Sequence, residues 1–139
     1  KEEEIIQEKK VEKKEKEIED QVEVPSKINL DLLENSKKSK NIIDIIQKLD
    51  KQNKPVAAIR ASPIVLETAG IKKNEFTCYP SCENEIKTAA KYTKQSTCID
   101  ENIITANGPA SGILFALEII KKLKGKEKYD EIKNAMLVM

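Results

Sequence analysis

Hydrophobic positions divide the chain into a charged beginning and a patterned remainder. Residues 1–24 alternate Lys and Glu, with Ile5, Ile6, Val11, Ile18, Val22 and Val24 scattered among them. No heptad holds over several turns, so a coiled coil is poorly supported, and Glu/Lys pairs at helical spacing give at most a marginal solvated helix. Residues 1–27 therefore read as a charged low-complexity extension or insertion, with a partner-binding helix as the alternative. Beyond Pro25 and Ser26 the pattern changes. Asn35 or Ser36 can cap a helix whose stripe is Ile42, Ile43, Ile45, Ile46 and Leu49, closed by Asn53 and Lys54.

Pro55 to Ile59, PVAAI, is short, apolar on both faces and opened by proline, which predicts a strand buried in a parallel sheet. Ser62-Pro63 is a cap and first-turn pair, and Gly70 supplies the stop, so Arg60 and Ala61 are the whole turn between strand and helix. EFTCY (Glu75 to Tyr79) predicts another strand, and TCID and NIITA, flanking Glu101, a hairpin. Gly108-Pro109 then opens an apolar helix, Ala110 to Leu123, with Ile113, Leu114, Leu117, Ile119 and Ile120 available to face a sheet. Gly125 ends it, and a last helix carries Tyr129, Ile132, Ala135 and Met136. This alternation predicts one α/β layered domain over 28–139, without internal repeats.

Charge and composition narrow the function classes. With 25 Lys+Arg against 24 Asp+Glu the formal charge is +1, which gives no electrostatic case for nucleic acid or an acidic membrane surface. No apolar run reaches the roughly 20 residues of a membrane span, and the first residues have no signal-like apolar core, so a cytoplasmic protein is expected. The three cysteines, Cys78, Cys82 and Cys98, are an odd number in a chain with no histidine. That suits packing or free thiols better than a disulfide framework or a zinc site. Without histidine, no Ser–His or Cys–His catalytic pair can be built from this chain alone.

The chemistry is expected at the turn. A sharp bend between a buried strand and a helix is the geometry of a nucleophile elbow, and open α/β sheets bind ligands at the carboxyl ends of their strands. Yet the elbow position holds Arg60, the sole arginine among 25 basic residues. A guanidinium is a permanent cation that cannot serve as nucleophile, acid or base, although it binds carboxylate and phosphate well. Ser62 is better placed as a helix cap than as a substitute nucleophile. Cys82 and Cys98 lack a nearby base, Cys78 reads as core or edge packing, and Glu67, Glu83 and Glu85 read as solvated.

The stretches KPVAAIRASPIVLETAGI, TCYPSCENEI, DENIITANGPASGILFALEII and GKEKYDEI resemble, in order, the second half of the ThiJ/PfpI superfamily, in the branch of the parkinsonism-associated deglycase. The resemblance implies a flavodoxin-like three-layer sandwich with a mainly parallel sheet, here lacking the family's N-terminal strands, and a homodimer. It implies a cofactor-independent glyoxalase or protein deglycase, an oxidative-stress chaperone, or a cysteine-peptidase-like hydrolase, with no metal. Arg60 then stands where the family has its nucleophilic cysteine, and the family's histidine falls at about Lys91. Its glycine pair falls near Pro25–Lys27, where no glycine occurs, and its acidic partner belongs to the first half. Ala61, Ser62, Lys91, Gly108 and Pro109 are the expected binding positions, for a small aldehyde or an anion. Two readings follow: a catalytically impaired domain, or an enzyme that needs a cysteine at 60 and the missing half.

Overall fold

A computed structural model describes residues 30–139, so the expected extension at 1–27 and the Pro25–Lys27 position lie outside the described residues. Two helices come first, α1 (Leu30–Lys38) and α2 (Lys40–Lys51), where the sequence pattern suggested one. The cap between them is Ser39, in place of Asn35 or Ser36, which lie inside α1. Its extended backbone lets the hydroxyl accept the Ile42 N–H at 3.4 Å. Of the five-residue stripe, Ile43, Ile46 and Leu49 pack on the core, while Ile42 and Ile45 face solvent.

The strands are β1 (Val56–Ile59), β2 (Glu75–Phe76), β3 (Lys91–Tyr92), β4 (Thr97–Asp100) and β5 (Ile103–Ala106). The remaining helices are α3 (Pro63–Thr68), α4 (Gly112–Lys124) and α5 (Lys126–Ala135), with single 3₁₀ turns at Cys82–Glu85 and Pro109–Ser111. The principal sheet runs β1-β5-β4, and β2 pairs with β3 in a second ribbon. The β1/β5 and β2/β3 pairs are parallel, and only the β4/β5 hairpin, turning through Glu101 at φ +53°, is antiparallel. This is the α/β layering and mainly parallel pairing expected.

Period-two alternation divides the core between two faces. Val56, Ala58 and Ile103 join Leu66, Ala69 and Ile71 beneath α2 and α3. Ile104 and Ala106 turn to the other face, where α4 lies over β5, β1 and β4. Only Leu117 of α4 is fully buried; Ile113 and Leu114 are exposed, and Ile119 and Ile120 are half-buried. Three four-residue strands offer a platform too narrow to take more than one ridge of that helix. The EFTCY strand is also shorter than expected. After Phe76 the Thr77 N–H donates to Thr105 Oγ1 at 3.0 Å and the Tyr79 N–H to the Arg60 carbonyl at 2.9 Å, so the segment crosses the end of the main sheet.

Glu67 corrects a second expectation, because it is an anchor and not a solvated acid. One carboxylate oxygen accepts the backbone N–H groups of Lys87 and Thr88 at 3.1 and 3.0 Å. The other accepts the Thr88 hydroxyl and pairs at 3.2 Å with Lys73, whose side chain is fully buried. Burial alone would push this carboxyl up, but the bonds from Lys73 and Thr88 outweigh it and hold the group below its ordinary value. Asp100 behaves alike: burial would raise it, and the N–H groups of Asn74 and Glu75 hold it down.

Glu67→Ala strands a buried ammonium and frees the 86–90 segment, so urea unfolding should show a loss of about 3 kcal/mol. A carboxyl depressed on folding stabilises fully above its unfolded pKa and loses that contribution as pH falls through the folded value. Wild-type stability should therefore decline below about pH 4.5, with Glu67→Gln showing a shallower decline in the same titration.

Candidate functional site

The elbow is built by three backbone hydrogen bonds. The Arg60 N–H donates to the Ala106 carbonyl at 3.0 Å, its own carbonyl accepts the Tyr79 N–H at 2.9 Å, and the Ser62 N–H reaches back to Ile59 at 3.1 Å. To meet all three, Arg60 takes φ +63°, the left-handed region, which costs a side-chain-bearing residue on the order of 1 kcal/mol. The turn continues directly into α3, with Ile64 and Val65 N–H groups donating to Ala61 and Ser62 carbonyls. Ser62 is exposed and already helical, at φ −59°, and its hydroxyl makes no capping bond. The expected side-chain cap is thus replaced by a tight backbone turn with Pro63 at its head.

Around this turn the structure assembles some of the expected residues and leaves others apart. Ala61 is buried and packs with Ile64, Phe76, Cys78, Cys82 and Ile86, and Tyr79 and Tyr92 border that cluster. Gly108 follows β5 in an extended conformation, and a Cβ built on it would sit 3.8 Å from the Tyr79 ring, so this wall tolerates alanine. Pro109 opens the 3₁₀ turn that leads into α4, while Ser111 Oγ donates to Asn107 Oδ1. Lys91 is an exposed β3 residue whose ammonium pairs with Glu75 at 3.3 Å. The aromatic side chain joined to the elbow is Tyr79, which the sequence reading did not single out. The signal was available in TCYP, three residues beyond the end of the shortened strand.

The guanidinium itself makes no hydrogen bond or ion pair among the described residues, although Arg60 is half-buried. The thiols beneath it are inert by environment. Burial, then repulsion from Cys82 and Glu83, pushes Cys78 up to about 12. Burial and the carboxylates of Glu83 and Glu85 raise Cys82, and burial raises Cys98 despite a hydrogen bond involving Thr93. Glu83, expected to be solvated, instead turns one carboxylate oxygen into the interior without a hydrogen-bond partner. A negative charge beside thiols opposes thiolate formation, the reverse of what a reactive cysteine needs. Among the described residues no group of three or more Cys, Asp or Glu is arranged to hold a metal ion. No helix among them is long and apolar enough to cross a membrane.

Strand, left-handed turn, helix and a second parallel strand ending beside the turn define an α/β domain of the nucleophile-elbow class. The DJ-1/PfpI family model matches residues 31–122, and the chain belongs to that family. It is 34% identical over 97 residues to protein dj-1beta of Drosophila melanogaster, covering 68% of this chain and 52% of that protein. It is 29% identical over 87 residues to the glutathione-independent glyoxalase DJ-1 of Schizosaccharomyces pombe, covering 62% and 46%. The crystal structure of Drosophila DJ-1beta superposes with a TM-score of 0.71 at 30% identity, covering 77% of this chain and 59% of that one. Oxidized DJ-1 of Toxoplasma gondii gives 0.69 at 30% identity, covering 76% and 58%. The chain thus spans about half the length of these curated relatives.

Thiol accessibility checks this picture of the site. Brief alkylation of the folded protein with iodoacetamide at pH 7.5 should leave Cys78 unmodified by mass spectrometry, with complete labelling in denaturant. Rapid labelling of native Cys78 would contradict the burial and charge described.

Proposed function

We propose that this chain carries a DJ-1/PfpI domain whose nucleophilic chemistry is blocked at the elbow, leaving a cationic ligand-binding position. The observation that supports this reading is Arg60 in the left-handed turn between β1 and α3, half-buried and unpaired among the described residues. A glyoxalase or deglycase of the cysteine type needs a thiolate there to attack a carbonyl carbon. A guanidinium has no lone pair to offer and no accessible neutral form. None of the three cysteines can take over, since all are buried and all are held protonated. Non-covalent work, binding an anion or acting as a chaperone, is compatible with such a site.

Two of the curated relatives are named glutathione-independent glyoxalases, which makes methylglyoxal consumption the direct test. The unmodified chain should consume none above the rate of a buffer control. Turnover by this chain would overturn the block. Arg60→Cys, supplied with the first half of a relative, is the variant expected to regain activity if position 60 alone closes the chemistry.

A homodimer, expected from the resemblance, is part of the same proposal. Ile113 and Leu114, 50% and 36% exposed at the start of α4, supply apolar surface for it. Sedimentation velocity should show a dimer that Ile113→Lys weakens.

A further inference from the structure

We infer that a polar cleft at the end of the sheet opposite the elbow binds free amino acids with uncharged polar side chains. The Asn102 carbonyl takes the Val56 N–H where β1 begins, and the Ala106 carbonyl takes the Arg60 N–H just past its end. The four residues of β1 separate the two places by roughly 13 Å. The cleft has a volume of about 430 Å³, which lies in the range of small-molecule sites.

Three segments line it: residues 72–74 ahead of β2, 88–89 ahead of β3 and 100–102 at the β4/β5 turn. Side chains tie these segments to one another and to their neighbours. Asp100 accepts the backbone N–H groups of Asn74 and Glu75, the latter at 3.2 Å, and the Asn74 side-chain amide at 3.3 Å. Glu67 joins Lys73 to Thr88, and the Lys122 ammonium donates to the Glu101 carbonyl at 2.6 Å. The cleft is thus held in one shape before any ligand arrives, which keeps the ordering cost of binding low.

Two charges are left over from this network. Lys73 is spent on Glu67, and Asp100 on the N–H groups that it accepts. The Lys72 ammonium and the Glu101 carboxylate have no hydrogen bond or ion pair among the described residues, and both residues line the cleft. One unpaired cation and one unpaired anion match a zwitterion, whose carboxylate meets Lys72 and whose ammonium meets Glu101. A simple carboxylate or a simple amine satisfies one of them and leaves the other. Both residues are exposed, where a single ion pair contributes little, so the ligand needs both contacts.

Uncharged groups select the side chain. Asn102, 5% exposed, spends its amide N–H groups on Asp50 and the Lys54 carbonyl, both at 3.0 Å. Its Oδ1 has no partner among the described residues, and neither has that of Asn74. With the Thr88 hydroxyl they offer hydrogen bonds that a hydroxyl or amide side chain uses and an aliphatic one leaves unmet.

Nuclear magnetic resonance titration of the labelled protein tests the assignment, with serine, glutamine, leucine, acetate and ethylammonium as probes. Serine and glutamine should give saturable amide shifts at Asn74, Thr88, Glu101 and Asn102 and leave Arg60 and Gly108 unmoved. Each should bind at least about tenfold tighter than acetate or ethylammonium, the value of one charged hydrogen bond, and tighter than leucine. Lys72→Met and Glu101→Gln should each lower serine affinity about tenfold, while Lys72→Arg retains it. Both positions are exposed, and the dispersion of the same spectra shows that each variant is folded. The assignment is overturned by any of four results: no saturable shift at these amides, shifts centred on the elbow, acetate, ethylammonium or leucine binding as tightly as serine, or unchanged serine affinity in Lys72→Met or Glu101→Gln.

Discussion

Everything at the candidate site depends on the backbone of one residue being held from two sides. The Arg60 N–H is taken by the end of β5 and the Arg60 carbonyl by the segment after β2. Those two bonds join a parallel strand pair, a crossing loop and the start of α3 at a single point. The left-handed φ is the consequence, and its cost is small beside the number of elements it aligns. Because main-chain groups make these bonds, the geometry does not depend on the functional group that the side chain carries. The shape of an elbow is therefore separate from the chemistry of the side chain that it carries.

The same separation explains the electrostatics below the elbow. A reactive thiol needs exposure and positive neighbours, and Cys78 and Cys82 have burial and carboxylates instead. Their surroundings are those of core side chains, and their neighbours in the cluster are Phe76, Ile64 and Ile86. Glu83, with one buried oxygen unpaired, is the least satisfied group in that neighbourhood. Arg60, the cation of the elbow, makes no bond to it.

Much of the fold was legible because local signals and tertiary packing agreed. PVAAI reads as a buried strand and is one, the Glu101 hairpin closes where the short polar gap sits, and Gly70 ends α3 at φ +70°. Where the reading failed, a long-range partner decided the outcome. Ser39 displaced Asn35 and Ser36 as the cap because the chain bends between α1 and α2, a break that the continuous apolar stripe of α2 conceals. EFTCY lost its last three strand positions to bonds from Thr77 and Tyr79 to residues 28 and 19 positions away in the chain. Glu67 looked solvated because its partners, Lys73, Lys87 and Thr88, lie beyond the end of its own helix.

The site was legible in position but not in composition. Strand, turn and helix located the elbow at Arg60 from local pattern alone, since the device is encoded within nine residues. The place of Tyr79 is not, because it arrives through a crossing segment whose path depends on the Thr105 hydroxyl and the Arg60 carbonyl. Lys91 resembles a site residue in its sequence context, yet it is drawn to Glu75 by strand pairing in the separate ribbon. Register, which is a property of two strands together, sets Lys91 opposite Glu75 and Tyr92 opposite Phe76. For a fold of this kind, a strand–turn–helix elbow is readable from one segment, and the residues bonded to it are readable only from the sheet.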